Sequence, residues 1–253
     1  MAQGSKWGRF CDEKICHYEI LRKVHRIGAI CKNKRKSKMQ IKFFDSLPST
    51  QEFLIEQIKC GAVDSEVCIV AEAQSKGIGS RGNEWEGVER GLYLSFAMRL
   101  NSLPKDLQMQ SMAIFFAFNF VSILRDFGSC AWLKYPNDLF LGGAKIGGTM
   151  CSVAKNYAVC GIGLNLSSAK FACVEKSVGE KVQGDMKAFL ARFFKRVESS
   201  VWSEIFSAYS AEFHKNYDFS FHANDEIFSL KNAKLCDDGA IKVGDKIIYC
   251  ART

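Results

Sequence analysis

Apolar and polar residues alternate in some stretches of this chain and recur every three to four residues in others. The switch between the two periods lays out the elements. Ile41–Phe44 reads as a short strand. Pro48 precedes Ser49-Thr50-Gln51-Glu52, where Ser49 and Glu52 form a capping-box pair, so a helix is predicted to about Lys59 with Gly61 at its stop. Val67–Ala73 is an apolar strand, Gln74 to Gly87 is a polar, glycine-rich loop, and Leu92–Leu100 alternates as a strand. Leu107–Phe127 has a long apolar face and ends at Gly128, which predicts a helix. Cys130–Lys134 predicts a strand, Phe140–Gly143 a hairpin-like turn, and Lys145–Ala154 and Tyr157–Leu166 two strands joined at Lys155-Asn156. Asp185–Phe213 reads as one long amphipathic helix or a pair, with Trp202 and the phenylalanines in the core. From Asn216 onward the pattern is that of a small all-β unit, with a tight turn at Asp237-Asp238-Gly239. Strands and helices are mixed without strict alternation. That predicts an α+β fold, a mixed β-sheet with helices on one face, and not a doubly wound parallel sheet.

Length and charge divide the chain further. Its 253 residues suit one good-sized domain, 39–215, and the small β unit, 216–253. Residues 1–38 hold 11 Lys/Arg against 3 Asp/Glu, whereas the remainder holds 24 of each, so the whole net charge of +8 belongs to this extension. It has no clear period, and Lys32 to Lys38 is too like-charged to pack, so a disordered or non-native extension is expected. Its Cys11, Cys16, His17, His25 and Cys31 fit no standard zinc spacing. The chain has eleven cysteines, an odd and scattered set, several inside apolar runs, as in a reducing compartment. No apolar leader follows Met1, and the longest apolar run, Met112 to Leu124, is too short to span a bilayer. A cytoplasmic protein is expected.

The candidate chemistry centres on Lys134-Tyr135-Pro136-Asn137-Asp138. A lysine at a strand end, followed by a rigid turn, can hold a positive charge between two anions that would otherwise repel. Upstream, Gly77-Ile78-Gly79-Ser80-Arg81-Gly82 matches the dinucleotide pattern of glycines, but no helix opens after it. What remains is a loop rich in backbone donors that carries Arg81 and ends at Trp85, suited to wrapping a phosphate and covering a base.

Ser49-Thr50-Gln51, Glu72-Ala73-Gln74 leading into Gly77–Trp85, Lys134 to Asp138, Lys145-Ile146-Gly147-Gly148-Thr149 and Gly161-Ile162-Gly163-Leu164-Asn165 occur in that order. This order and spacing resembles the biotin protein ligase family, in a short form without a DNA-binding domain. The resemblance covers Met39 to Asn165 well and the rest weakly. It implies a fold like that of class II synthetases and biotin–lipoate ligases. It also implies activation of biotin by ATP with Mg²⁺ to biotinyl-5′-AMP, then transfer to a lysine of the biotin carboxyl carrier protein of acetyl-CoA carboxylase. By the same resemblance, Ser49, Thr50, Gln51, Gln74, Gly77 and Lys134 meet biotin. Gly79, Arg81, Gly82, Trp85, Asn137 and Asn165 meet ATP or the adenylate. Lys134, Arg81 and Asp138 are the catalytic candidates, with Asp138 also a candidate ligand for Mg²⁺. Family members often carry further arginines in the glycine loop; Ile78, Ser80 and Asn83 stand there instead, which implies a less firmly held adenylate. Neither membrane association nor specific DNA binding is expected, and homodimerisation is left open. Two other readings compete. A lipoate–protein ligase shares the fold and a lysine, but its arginine- and glycine-rich signature is absent. An inactive ligase-like body with a nucleic-acid-binding basic arm would account for the charge at the N-terminus.

Overall fold

Seven strands build the main sheet, in the spatial order β1 (Gln40–Leu47), β2 (Val67–Gln74), β5 (Arg90–Arg99), β9 (Tyr157–Ser167), β8 (Ala144–Ala154), β7 (Asp138–Leu141) and β6 (Trp132–Lys134). β1 and β2 are parallel and every other neighbouring pair is antiparallel, so the sheet is mixed, as the sequence predicts. A computed structural model describes residues 39–79, 84–223 and 226–249. The basic extension 1–38, with its cysteines and histidines, lies outside the described residues, as do Arg81 and Gly82.

Side chains of successive strand residues go to opposite faces, and the two faces carry separate cores. Cys68 and Val70 of β2, Leu92, Leu94 and Phe96 of β5, and Cys160, Ile162 and Leu164 of β9 enter the larger core. Four helices cover that face: α2 (Met112–Asp126), α3 (Lys176–Gly184), α4 (Met186–Ser199) and α5 (Trp202–Glu212). Phe96 meets Phe116, Phe193 and Phe194 there edge-on, with ring centres 5.1–5.7 Å apart. The residues between, Val67, Ile69 and Ala71 of β2 and Tyr157 and Val159 of β9, form a smaller core with Leu54 and Ile58 of α1 (Thr50–Lys59). The predicted helical layer therefore has a single helix opposite it. Beyond α1 that second face carries Gly148, Gly161 and Gly163, and the absent side chains leave a cleft.

The structure amends several predicted elements. Phe140 is not in a turn: β7 continues through it to Leu141, and the reversal falls at Gly142-Gly143, with Gly142 at φ +56°. Phe140 pairs with Trp132 and packs on Phe219, so aromatic burial extends the strand. The helix expected from Leu107 becomes regular only at Met112, after a 3₁₀ turn at Met109–Ser111. α3 was not predicted, because Gly179 and Gly184 obscure its Val178/Val182 stripe. The 185–213 segment is a pair of helices, opened at Ser200-Val201. The Asp106 carboxylate accepts from the N–H groups of Trp202 and Ser203 at 3.2 and 2.9 Å, starting the second helix from a distant loop.

The short strands β3 (Gly77–Ile78) and β4 (Glu84–Trp85) pair inside the predicted glycine loop. The C-terminal residues form a hairpin, β10 (Ser220–Ala223) with β11 (Glu226–Ser229), and a three-stranded sheet of β12 (Lys234–Leu235), β13 (Ile241–Val243) and β14 (Lys246–Ile248). The turn at Asp237-Asp238-Gly239 binds the body. Tyr135 Oη donates to the Gly239 carbonyl at 3.1 Å, Ser111 Oγ to that of Asp238 at 2.7 Å, and Trp202 Nε1 to that of Asp237.

Candidate active site

One end of the cleft is built on the start of α1. Ser49 caps the helix, accepting from Glu52 N–H at 3.3 Å, as its capping-box pattern predicts. Gln74, at the end of β2, turns its Oε1 to the helix, where Thr50 donates its N–H at 2.7 Å and its Oγ1 at 3.0 Å. Thr50 Oγ1 also lies 2.9 Å from Ser95 Oγ, a polar side chain in the otherwise apolar run of β5. Gln51 points across the sheet, with Nε2 donating to Ser152 Oγ at 3.2 Å and to the Val159 carbonyl at 3.4 Å. Its Oε1 is buried and takes no hydrogen bond among the described residues, and a Cβ on Gly161 would stand only 2.8 Å from it. A buried acceptor without a donor is costly in an empty protein and useful in one that binds an N–H-bearing ligand.

The middle of the cleft is roofed by Trp85. A Cβ on Gly163 would come within 3.0 Å of the indole, so the ring rests directly on the β9 backbone. Its Nε1 is buried without a partner among the described residues. Gly77 pairs with Trp85 between β3 and β4, where a Cβ would meet the Trp85 carbonyl at 2.8 Å, and Gly79 lines the cleft. Asn165 lies two residues beyond Gly163 on β9; its Nδ2 donates to the Ala172 carbonyl at 2.9 Å and its Oδ1 has no partner among the described residues.

The far end carries charge. Asp138 Oδ1 is 2.7 Å from Lys145 Nζ, and its Oδ2 is 3.6 Å from Lys134 Nζ. Lys134 is enclosed: its side chain is 15% exposed, and Nζ lies 5.5 and 5.6 Å from the ring centres of Phe140 and Phe219. Lys145 lines the cleft and Lys134 does not. Asn137 also lines it, but its side chain is committed to the fold: Nδ2 donates to the Thr149 carbonyl, while Thr149 N–H returns to the Asn137 carbonyl at 2.8 Å. Burial of the Glu175 carboxyl raises its pKa, but hydrogen bonds from Ser129 and the Cys130 N–H outweigh this and hold it below the usual range. That acceptor fixes the entry to β6 and thereby Lys134.

Ser49, Thr50, Gln51, Gln74, Gly79, Trp85, Asn137 and Asp138 thus line one cleft, while Lys134, Gly77 and Asn165 lie beside it. Arg81 and Gly82 fall outside the described residues. Among the described residues no three His, Cys, Asp or Glu gather as a metal site, and the Asp138 carboxylate is taken by two ammonium groups. A metal ion on Asp138 would have to displace one of these ammonium groups. Ser95 was not singled out from the sequence, and Lys145 entered only as the start of the Lys145–Thr149 segment, with no role assigned to it. A lone hydroxyl in Leu94-Ser95-Phe96 and a lysine opening an apolar strand were the available signals.

The cleft thus has a polar, donor-seeking end, an indole over a bare strand and a cationic end, all set on one face of the mixed sheet. Residues 43–165 match the family model for the biotin/lipoate A/B protein ligases, and the chain belongs to that family. It is similar to the biotin acetyl-coenzyme A carboxylase synthetase of Helicobacter pylori, solved with bound biotinylated ATP. The two share 42% identity and a TM-score of 0.76, over 84% of this chain and all of that one. It is 30% identical to the biotin–[acetyl-CoA-carboxylase] ligase of Mycobacterium tuberculosis over 125 residues, 48% of this chain and 47% of the other, so it spans about half the length of this curated relative. The biotin protein ligase of Aquifex aeolicus, solved with biotin and ATP, shares the fold at 20% identity and a TM-score of 0.59, over 83% of this chain and 94% of that one.

Proposed function

We propose that this protein is an ATP-dependent biotin–protein ligase acting on a biotin carboxyl carrier protein of acetyl-CoA carboxylase. The observation that carries this reading is the single cleft joining the unpartnered Gln51 Oε1 to the Lys134–Asp138–Lys145 cluster, with Trp85 between. The H. pylori protein's bound biotinylated ATP supports the same assignment. Biotin's ureido ring has the N–H groups that Gln51 Oε1 lacks, and its carbonyl can accept from the Ser95 hydroxyl once that proton turns from Thr50 Oγ1 to the ligand. Its valerate then runs under Trp85 toward the lysines.

In the first step a biotin carboxylate oxygen attacks the α-phosphorus of ATP. A carboxyl–phosphate bond forms, the bond to the β-phosphate oxygen breaks, and pyrophosphate leaves with the electron pair. The reactants are both anions, and the cations at this end of the cleft lower the repulsion between them. In the second step an uncharged lysine amine of the carrier attacks the acyl carbon. An amide forms, AMP leaves, and the amine's proton passes to solvent or phosphate. Magnesium travels with the triphosphate in this reading and neutralises part of its charge. The protein's own residues bind, orient and exclude water. The pattern of free thiols favours a cytoplasmic setting, and no described helix is long and apolar enough to cross a membrane.

The test is transfer of labelled biotin to a carrier domain in the presence of ATP and Mg²⁺, repeated with Lys134→Ala. We expect transfer by the unaltered protein and a loss of about two to three orders of magnitude in the variant, equivalent to about 3–4 kcal/mol of transition-state stabilisation. No transfer by the unaltered protein would reject the reading, and full transfer by the variant would remove Lys134 from it. Offering a lipoyl carrier with lipoate in parallel separates the two branches of the family.

A further inference from the structure

The amide of Gln51 can face two ways, and its direction decides what the cleft asks of a ligand. With Nε2 turned to the sheet, as here, the cleft meets an acceptor; turned over, the amide would present a donor. Two groups of the sheet hold the present direction. Nε2 donates to Ser152 Oγ at 3.2 Å and to the Val159 carbonyl at 3.4 Å. Ser152 and Val159 are direct partners across β8 and β9, so they form one seat beneath the amide. A carbonyl only accepts, so Val159 disfavours the turned-over amide, in which two oxygens would face each other. A contact of 3.4 Å is weak by itself. The Ser152 hydroxyl adds a second bond and keeps the amide over the carbonyl that sets its direction.

Ser152 reaches the site only through Gln51. Gly148, Met150, Ser152 and Ala154 follow one another along β8 on the cleft side of the sheet. Gly148 and Met150 line the cleft, Ala154 belongs to the smaller core, and Ser152 stands between these two zones. Beside the amide, Gly161 leaves β9 bare. A Cβ there would stand 2.8 Å from Gln51 Oε1 and 3.2 Å from Ser95 Oγ. An acceptor and a hydroxyl thus flank one open stretch of backbone. That pairing suits an N–H and a C=O joined through one bond in a cyclic urea, provided that Oε1 and not Nε2 faces the ligand.

Resting on the ligase reading above, we infer that Ser152 is a positioning residue for biotin recognition. It seats the Gln51 amide on Val159 with the oxygen toward the ligand, and so makes the site demand an N–H on the ureido ring. The selectivity of the biotin end is thereby set from behind the cleft wall. Loss of Ser152 frees the amide to turn, and a turned amide offers a donor to a ligand that carries oxygen in place of that N–H.

Calorimetry with biotin and its two cyclic carbamate analogues, each with one ureido N–H replaced by oxygen, tests this in the unaltered protein, Ser152→Ala and Ser152→Thr. In the unaltered protein we expect one of the analogues to bind about 100-fold or more weakly than biotin. In Ser152→Ala biotin affinity should fall about three- to tenfold, while that gap shrinks to about tenfold or less as the turned amide accommodates the oxygen. Ser152→Thr keeps the hydroxyl and should restore both the affinity and the gap. KM for ATP at saturating biotin should stay within about twofold throughout. A gap absent from the unaltered protein or unchanged in Ser152→Ala would overturn the inference. So would a threonine variant that behaves like alanine, or an equal loss for all the ligands, which would mark a merely structural role. Failure of the unaltered protein to bind biotin would overturn the ligase reading itself, and this inference with it.

Discussion

The N–H of Tyr135 donates to Oδ1 of Asn216 at 2.7 Å, across 81 residues of chain. Asn216 has no exposed surface, and its Nδ2 donates to the Phe213 carbonyl at 3.1 Å. The residue after Lys134 is therefore held by the segment that follows α5. Asn216→Ala removes the acceptor for this buried N–H and should cost about 1–3 kcal/mol, read from urea denaturation. Because the turn behind Lys134 loosens, kcat should fall more than KM for biotin rises. A variant of ordinary stability and rate would show that Tyr135 needs no such anchor.

Gly163→Ala tests the seat of the indole. The new methyl would come within 3.0 Å of Trp85, and the ring must lift from β9. KM for ATP should rise about tenfold, equivalent to about 1.4 kcal/mol, with little change in melting temperature. Unaltered kinetics would mean that the position of Trp85 in the free protein is irrelevant to nucleotide binding.

Gln74→Leu removes the acceptor shared by the Thr50 N–H and Oγ1. Biotin affinity measured by calorimetry should drop about 10–100-fold, since Thr50 then presents its hydroxyl without a fixed orientation. ATP binding in the absence of biotin should be spared.

Glu175 predicts an acid dependence. Its folded pKa lies below its ordinary 4.5, so the stabilisation is complete above that value and is lost as pH falls through the lower, folded one. Glu175→Gln should therefore be less stable than the unaltered protein at pH 7, by about 1–2 kcal/mol for the weakened hydrogen bonds. The difference should shrink below about pH 4.5. A gap that is constant with pH would remove the carboxylate from this role.

The cysteines should separate by reactivity. Cys60 and Cys130 are exposed, whereas Cys68 and Cys160 are fully buried and burial pushes both thiols well up. Brief alkylation at pH 8 followed by peptide mass mapping should label the first two and spare the second two. Labelling of Cys160 without loss of fold would show that β9 opens locally.

Much of the sheet was legible because strands and helices leave periods that differ, and β2, β5 and β9 each alternate between two cores. Phe140 was misread because Gly142-Gly143 signals a turn while the attraction of Trp132 and Phe219 for Phe140 is a tertiary matter. α3 was missed because Gly179 interrupts a two-residue valine stripe and Gly184 follows it closely. Within the site, Ser49, Thr50, Gln51 and Gln74 were legible as cap and strand end. Lys145 was legible only as the first residue of a family segment, because its place on the cleft is set by a one-residue bulge between β7 and β8, where Phe140 pairs with Lys145 and skips Ile146. A regular reading of Lys145–Ala154 as a strand gives the wrong face for its first two residues. Nor could the sequence show that Lys134 sits behind the cleft wall, since that depends on Phe219, far along the chain.

The aromatic wall of Lys134 is drawn from two places, Phe140 in the sheet and Phe219 past the last helix. A modular view, with a catalytic body ending near residue 215 and a detachable C-terminal attachment, therefore cuts through the lysine's own housing. Shuffling or splitting this protein at that seam would export half of the wall with the wrong fragment. Change in the C-terminal unit is then constrained by the chemistry at Lys134 as well as by whatever that unit touches.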